Sequence, residues 1–401
     1  MIRNARIAII VQGRFHAFGL ARALIDLGAK VDVITNYPKF IAKRFGLPGE
    51  CITSFPLHGI LHRYAYRWDL VRRIPFLEVF LHRSFSIWSA RRISLTEPTI
   101  VHAFSGMALD VFAKISSAGY NGVKTLVRGS CHIRDQYHLL EQESRRADAY
   151  IEKPSMWMIK REMAEYKQAD AILVLSSFAK RTFIKRGYEE NKIQLQMLGT
   201  NVGQFRPSRA IIEDRLRRIK SGHPLEFICT GTVCLRKGIL DFIEIAKVLR
   251  GRIRFRWVGN IAADARGLVE KSSDLIEFVP RQNEENLPEF YNRADGYLFP
   301  TIEDGFAVVL AQARAACLPI LASENCAAPD LVQDGNNGWS LPIRQPERFI
   351  EKLLLLDGER ETMARMVENL WQQHDTRDWP DVAKDFIDII GKVSNEKYKL
   401  L

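Results

Sequence analysis

The stretch Tyr297-Leu-Phe-Pro-Thr-Ile-Glu-Asp-Gly-Phe-Ala-Val-Val-Leu-Ala-Gln-Ala313 joins an apolar run, an acidic pair and a helix-like sequence. The apolar run ends at Pro300, the acids are Glu303 and Asp304, and Gly305 permits a tight turn into the helix. Such a strand-to-helix turn presents backbone N–H groups and the positive end of a helix dipole. It therefore predicts one loop of a site for an anion such as a diphosphate.

A second glycine turn lies upstream, in Gly231-Thr-Val-Cys-Leu-Arg-Lys-Gly238, and carries Arg236 and Lys237. Guanidinium and ammonium groups neutralise phosphate, so the two loops together predict a single site for a diphosphate. The alternative for Arg236 and Lys237 is an ordinary surface pair, and their place after a glycine turn favours the site.

Apolar runs alternate with helix-like stretches along the chain, which indicates parallel α/β sheets. The alternation pauses in the polar segment 203–224 and then restarts. We therefore expect two doubly wound domains with a boundary near residue 205 and a ligand between their strand ends. The first helix is predicted at 15–27. The predicted strands are 6–11, 30–35, 99–102, 124–127, 171–175, 225–229, 254–258 and 275–279, with two more around Tyr297 and Leu318.

Length and composition are those of a globular protein, with 401 residues, 47% hydrophobic and 26% charged. The N-terminal apolar run is too short for a signal peptide, and no run approaches the ~20 residues of a membrane span. The six cysteines have no metal-ligand spacing, which predicts buried thiols in a reducing compartment. We expect a cytoplasmic protein without a metal site.

The formal net charge of +11 predicts acidic partners: phosphorylated substrates, nucleic acid or anionic lipid. Between 62 and 92 arginines alternate with aromatic residues, a pattern that suits the inner face of a membrane. A solvated face with its aromatics in the core remains the alternative. Nucleic acid is disfavoured because no known binding module is recognisable. The arginines are Arg63, Arg67, Arg72, Arg73, Arg83, Arg91 and Arg92.

The first glycine turn does not have the pattern of a nicotinamide site. Gly13 stands alone, so the GxGxxG motif is absent, and the second strand ends at Asn36 without an acidic residue for a ribose diol. A dinucleotide-dependent dehydrogenase is therefore disfavoured.

The C-terminal half resembles the retaining family-4 glycosyltransferases of the GT-B fold. Their donor domain has a glycine turn with a basic pair, a Glu-Gly-Phe-Gly turn, and a second Glu eight positions after the first. The matching residues are Arg236-Lys237-Gly238, Asp304-Gly305-Phe306-Ala307 and Gln312. The resemblance implies two Rossmann-like domains facing across a cleft. Residues 1–205 would bind the acceptor, 206–375 would bind the donor, and 376–401 would form a helix returning to the first domain.

The resemblance also implies the roles of individual residues. Arg236, Lys237 and Asp304 would act in catalysis at the diphosphate, and His132 would touch the transferred sugar. The acceptor side would include Gly13, His16, Phe18 and His102. Donor-binding residues would be Gly231, Gly259, Val279, Glu303, Gly305, Phe306, Ala307, Val308 and Gln312.

Two positions depart from the family pattern. Asp304 is one methylene shorter than the first Glu, and Gln312 lacks the carboxylate that would accept two hydrogen bonds from a ribose. The identity of the nucleotide stays open.

The expected function is transfer of a sugar, with retention and without metal or cofactor, from a nucleotide-sugar to a polysaccharide or lipid-linked saccharide. Two alternatives remain: a sugar-nucleotide epimerase of the same architecture, and a catalytically silent nucleotide-sugar-binding protein.

Overall fold

The computed structural model describes residues 6–94, 99–120, 122–373 and 376–399. Within these ranges thirteen strands form two sheets in which neighbouring strands run parallel, and this confirms the predicted fold class. The strands are β1 Arg6–Val11, β2 Lys30–Thr35, β3 Ile52–Ser54, β4 Thr99–Phe104, β5 Lys124–Arg128, β6 Ala171–Val174, β7 Ile193–Leu195, β8 Leu225–Thr230, β9 Ile253–Val258, β10 Glu277–Val279, β11 Gly296–Phe299, β12 Ile320–Ser323 and β13 Gly338–Leu341.

The helices lie between the strands and cover both faces of each sheet. They are α1 Ala17–Asp26, α2 Lys39–Lys43, α3 Pro56–Arg67, α4 Leu70–Arg73, α5 Pro75–Ala90, α6 Leu109–Ser117, α7 Ile133–Arg146, α8 Met156–Gln168, α9 Ser177–Lys185, α10 Val202–Phe205, α11 Arg209–Lys220, α12 Ile239–Val248, α13 Arg266–Lys271, α14 Leu287–Arg293, α15 Val308–Ala315, α16 Ala328–Leu331, α17 Pro346–Gly358, α18 Arg360–Gln373 and α19 Trp379–Lys399.

The strand order places a crevice at the carboxyl end of each sheet. The first sheet has the order β3-β2-β1-β4-β5-β6-β7 and the second β10-β9-β8-β11-β12-β13. The direction of winding reverses between β1 and β4, and again between β8 and β11. Loops that leave adjacent strands in opposite directions open a crevice at these points. The loop after β8 and the loop after β11 are the two glycine loops that the sequence singled out.

The structure differs from the predicted elements at the edge strands of the two sheets and at the ends of individual helices and strands. β3, β7 and β13 were not predicted, and each is a short edge strand. Helix α1 begins two residues later than predicted because Phe15 has a φ of 40°, outside the helical region.

The last helix, α19, packs against α1 of the first sheet. A side chain at Gly19 would come within 2.6 Å of the Trp379 ring, so the glycine lets the two helices approach. Phe386 of α19 lies edge-on to the buried His102, with ring centroids 4.9 Å apart. The first sheet is thus covered on this side by the C-terminal helix.

In the part of the chain that the structure describes, every helix is too short or too polar to cross a lipid bilayer. The six cysteines are free thiols, five of them buried and Cys234 half-buried.

Candidate active site

The two glycine loops of the second sheet are bonded to each other. The carbonyl oxygen of Arg236 accepts from the N–H of Ile302 at 2.9 Å and from the hydroxyl of Thr301 at 3.2 Å. A side chain at Gly238 would lie 1.8 Å from the carbonyl oxygen of Pro300. Gly238 also has a φ of 79°, which favours glycine. The loop after β8 is therefore held directly over the loop after β11.

Gly259, at the end of β9, lets the β8 loop pass closely over it. A side chain at Gly259 would come 1.9 Å from the carbonyl oxygen of Gly231, which also accepts from the indole N–H of Trp257 at 3.0 Å. The N–H of Gly259 donates to Val279 at 2.9 Å. The backbone beside Arg236 and Lys237 is thus formed by Gly231, Gly259 and Val279.

Lys237 and Asp304 form an ion pair across the two loops. The Lys237 ammonium also lies 5.0 Å from the centre of the Phe299 ring. Arg236 donates through Nη1 to the carbonyl oxygen of Glu303 at 2.9 Å. Burial alone would raise the pKa of Asp304, yet the cations of Lys237 and Arg236 hold it below its ordinary value. The site thus holds a carboxylate between two cations.

The same carboxylate bonds the backbone directly before α15. Asp304 Oδ1 accepts from the N–H of Ala307 at 3.1 Å and from that of Phe306 at 3.4 Å. Two of the N–H groups predicted to cradle a diphosphate therefore bind the chain's own anion in this structure. Ala307 has a φ of 63°, a left-handed conformation that favours the glycine of the family pattern.

Gln312 lies inside a buried polar network beneath α15. Its Oε1 accepts from the hydroxyl of Tyr291 at 3.1 Å, and Tyr291 contacts the hydroxyl of Thr230 at 2.7 Å. Tyr297 bonds to the same Thr230 hydroxyl at 2.9 Å. The network fixes the amide of Gln312 relative to the end of β8. Tyr291 and Thr230 were not among the predicted site residues.

Glu303 lies at ion-pair distance from Arg236 and also reaches into the first domain. Its fully buried carboxylate accepts from the hydroxyl of Ser130, from the N–H of Cys131 at 3.3 Å and from the amide of Gln136 at 3.3 Å. The nearest Arg236 nitrogen lies 3.8 Å from it. Glu303 therefore links the donor loop to the start of α7, a role that the sequence did not reveal.

Gly305 marks the closest approach of the two domains at this point. A side chain there would lie 2.0 Å from the carbonyl oxygen of Gly129 and 2.8 Å from the Cα of Ser130. Backbone therefore meets backbone across the cleft, and only glycine fits.

Helix α7 carries further contacts between the domains. The buried Glu143 accepts from Arg344 at 2.8 Å, and Arg146 pairs with the buried Asp241. Burial raises the pKa of Glu143 even though Arg344 and Arg146 oppose the shift. In this structure the cleft is bridged along the length of α7.

His132 is the N-cap residue of α7 and is enclosed by aromatic rings. Its Nδ1 accepts from the N–H of Arg134 at 3.2 Å, and its ring packs on Tyr166, Phe183 and Tyr188. Burial, followed by the charge of nearby Arg186, lowers the pKa of His132 to about 3. The imidazole is thus neutral and directed into the first domain, while residues 129–131 beside it contact the donor loop. Its contact with a sugar stays a prediction.

Two of the acceptor-side candidates lie at the crevice of the first sheet. The N–H of Gly13 donates to Asn36 Oδ1 at 2.6 Å, which ties the turn after β1 to the end of β2. His16 packs on Phe104 with ring centroids 4.7 Å apart, and burial lowers its pKa to about 4. The exposed Phe15 stands beside them.

The other two acceptor-side candidates, Phe18 and His102, lie in the core. Phe18 is 2% exposed and packs edge-on to Tyr37. His102 is fully buried, contacts the hydroxyl of Thr125 at 3.0 Å and has its pKa lowered to about 3 by burial. The structure does not bring these two side chains to the crevice, because both faces of β4 and the inner face of α1 are covered.

Comparisons with known proteins converge on one group. Residues 14–196 match the family model described as Glycosyltransferase Family 4, and residues 224–357 match the model described as Glycosyl transferases group 1. The chain is 23% identical over 235 residues to the putative colanic acid biosynthesis glycosyltransferase WcaL of Salmonella typhimurium, a match covering 55% of this chain and 54% of that protein. The chain thus spans about half the length of the curated relatives that it matches first.

Two longer matches cover nearly the whole chain. Sulfoquinovosyl transferase SQD2 of Arabidopsis thaliana is 24% identical over 395 residues, which is 96% of this chain and 70% of that protein. Among solved structures, Anabaena HepE in complex with UDP and glucose superposes with a TM-score of 0.64 at 12% identity, covering 96% of this chain and 99% of that one. At that identity the superposition shows the fold alone.

Proposed function

We propose, because the chain belongs to the family-4 glycosyltransferases of the GT-B fold, that it transfers a sugar with retention from a nucleotide-sugar donor to a saccharide acceptor. The observation that carries the proposal is the pair of cations, Arg236 and Lys237, held by two bonded glycine loops at the crevice of the second sheet. A diphosphate brings two negative charges, and these cations offer the matching positive charge.

The chemistry of transfer follows from that charge. The bond between the sugar's anomeric carbon and the distal phosphate oxygen breaks, and the acceptor oxygen bonds to the same face of that carbon. The acceptor's proton goes to the departing phosphate. Arg236 and Lys237 then stabilise the negative charge that grows on the phosphate more than they stabilise the intact donor, which lowers the barrier.

The state of the two loop carboxylates supports this single-step route. Glu303 is buried against Ser130 and Cys131, and Asp304 is paired with Lys237. A covalent glycosyl intermediate needs a free carboxylate at the anomeric carbon, and both of these are engaged by the chain itself.

One observation favours a second candidate, a nucleotide-sugar-binding protein without turnover. Gln312 stands where the family has a carboxylate, and its Oε1 already accepts from Tyr291. A ribose diol would meet an amide instead of an anion here, so donor binding would lose charge assistance.

Incubation with a panel of UDP-, GDP- and TDP-sugars separates the candidates. We expect release of nucleoside diphosphate that rises when a saccharide acceptor is added. Conversion of the donor to another sugar nucleotide without acceptor would instead identify an epimerase. Saturable donor binding with no release would identify the silent binding protein.

Metal removal is expected to leave transfer unchanged. Arg236 and Lys237 supply the positive charge that a divalent cation provides in metal-dependent transferases, so EDTA should not alter the initial rate of nucleoside diphosphate release. The measurement compares rates with EDTA and with added magnesium. A rate abolished by EDTA and restored by magnesium would refute metal-independent transfer.

We further propose that the acceptor is a polysaccharide or lipid-linked saccharide and that the protein works at the inner face of the membrane, without a nucleic-acid partner. The names of the relatives support the acceptor class: colanic acid and amylovoran biosynthesis glycosyltransferases, and a mannosyltransferase acting on a phosphatidylinositol monomannoside. The basic, aromatic segment 62–92 supports the location.

A further inference from the structure

A buried series of hydrogen bonds runs from helix α5 through α3 to the Gly13 turn. The N–H of Gly13 donates to Asn36 Oδ1 at 2.6 Å, and Asn36 Nδ2 lies 3.4 Å from His58 Nδ1. On the far side of the imidazole, His58 Nε2 lies 2.8 Å from the carbonyl oxygen of Leu81. Asn36 and His58 are each 4% exposed, so water does not compete for these bonds. We call the series from Leu81 to Gly13 the His58 relay.

Each partner in the His58 relay fixes the direction of the next bond. The Leu81 carbonyl oxygen can only accept, so His58 carries its proton on Nε2 and is an acceptor at Nδ1. Asn36 accepts from Gly13 through Oδ1, so its amide turns Nδ2 towards that Nδ1. Only a neutral imidazole in this tautomer satisfies Asn36 and Leu81 together.

The Gly13 turn depends on the end of β2 for both of its backbone polar groups. Its N–H donates to Asn36, and its carbonyl oxygen accepts from the hydroxyl of Thr35 at 2.9 Å. A side chain at Gly59 of α3 would come within 2.1 Å of the carbonyl oxygen of Asn36, so α3 packs directly behind this end of β2. Phe15, two residues after Gly13, is exposed at the carboxyl end of β1. The relay thus connects the interior of the first domain to its crevice.

Protonation of His58 would break the relay. An imidazolium donates at both nitrogens, so its Nδ1–H would oppose the amide N–H of Asn36. The amide would then rotate, and a rotated amide no longer accepts from Gly13. Burial lowers the pKa of His58, and this outweighs its bond to Leu81. The relay is therefore complete above that pKa and is lost as pH falls through it.

The titratable groups around His58 do not favour an imidazolium. The ring centroid of His62 in α3 lies 6.0 Å from that of His58, and His82 of α5 lies 6.3 Å beyond His62. The charge of Arg161 in α8 helps to lower the pKa of His82. Within the described ranges no carboxylate lies at ion-pair distance from the three histidines. The other rings that contact these histidines include Phe55, Tyr66 and Phe85.

We propose that His58 is a positioning residue for the acceptor side of the site, because its neutral imidazole holds the Gly13 turn through Asn36 in the conformation that receives the saccharide. This inference rests on the proposed function, in which the Gly13 turn adjoins the acceptor. His58 itself does not touch a substrate, since it is buried behind Asn36. Low pH should therefore weaken acceptor binding more than donor binding, because the donor loops belong to the other domain.

Two amide substitutions separate the two ends of the imidazole. His58→Asn places an oxygen near the position of Nδ1 and still accepts from Asn36, whereas His58→Gln reaches towards Leu81 and leaves Asn36 without an acceptor. The measurement is exchange of the Gly13 amide hydrogen, corrected for its intrinsic pH dependence, from about pH 8 to about pH 5. In the unmodified protein protection should fall with pH. His58→Gln should exchange about tenfold faster even at the upper pH, and His58→Asn should stay protected throughout.

Asn36→Asp gives a test of opposite sign. A carboxylate accepts from Gly13 and from a protonated His58 at once, so this variant should keep Gly13 protected at about pH 5. His62→Gln is the matched control, because it makes the same change one turn further along α3 from the residue bonded to Asn36. It should leave the protection of Gly13 as it was. Unchanged protection in His58→Gln, or an equal loss in His62→Gln, overturns the proposal.

Steady-state kinetics connect the relay to sugar transfer, with octyl glycosides of glucose, galactose and mannose as acceptors. His58→Gln should raise KM for the acceptor about tenfold and leave kcat and KM for the donor unchanged. His58→Asn should keep the low KM and lose its dependence on pH. Faster exchange at Gly13 with an unaltered acceptor KM overturns the positioning role. If the unmodified protein transfers sugar to none of these acceptors, that counts against the proposed function, and the exchange measurement still decides the relay.

Discussion

Lys237→Ala is expected to lower kcat/KM for sugar transfer by about 10²- to 10³-fold, the loss found on removing one preorganised charge-stabilising donor. Lys237 is the ammonium partner of Asp304 and lies over Phe299, so its position is fixed before a donor arrives. Its charge should act mainly when the phosphate leaves. The substitution should therefore lower kcat more than it raises KM. Both constants are measured from the release of nucleoside diphosphate with an acceptor present.

The substitution also leaves the Asp304 carboxylate without its ammonium partner, which costs stability. Lys237→Ala combined with Asp304→Asn should recover the melting temperature and not the activity. Lys247→Ala is the control, because Lys247 is an exposed lysine of α12, the helix that follows the Lys237 loop. Turnover near that of the unmodified protein in Lys237→Ala would remove Lys237 from the site.

Gly305→Ala is expected to reduce transfer about a hundredfold while nucleoside diphosphate still binds. The added methyl would meet the backbone of Gly129 and Ser130, which cannot rotate away as a side chain would. Overpacking of this kind costs about 3 kcal/mol, equivalent to about a hundredfold. This free-energy cost would oppose closure of the two domains, because the clash lies between them. Calorimetric binding of UDP and GDP, set beside the rate of transfer, separates the two effects.

Gly358→Ala provides the control, since a methyl there meets nothing within 4 Å. Equal losses of nucleotide affinity and transfer in Gly305→Ala would show that the clash distorts the donor loop itself. Full transfer would show that the domains need not approach as closely as Gly129 and Gly305 do here.

Most of the fold follows from the sequence because its central strands are buried on both faces. Such strands read as continuous apolar runs, and β1 and β2 were predicted to the residue. The missed strands β3, β7 and β13 lie at sheet edges, where only one neighbour fixes the conformation and the apolar signal is short. Helix α15 begins at Val308 rather than directly after Gly305, because Ala307 has a φ of 63°, outside the helical region.

The candidate site was predictable only where residues lie close to a turn. Arg236, Lys237 and Asp304 could be grouped because two glycine turns flank them. The contact of Glu303 with Ser130 could not be foreseen, because 173 positions separate the two residues and no spacing relates them. His102 was predicted on the acceptor side, and the structure places it in the core. A histidine on a strand covered on both sides belongs to the interior, and the apolar run around it was the available signal.

The return of α19 to the first sheet has a mechanical consequence. The chain passes between the domains twice, and the two passages touch: the N–H of Thr200 donates to the carbonyl oxygen of Arg377 at 3.1 Å, and Gly199 lies against Asp378. Two covalent tethers joined at one place form a hinge with a defined axis. We therefore expect the cleft to open by rotation about residues 199–200 and 377–378.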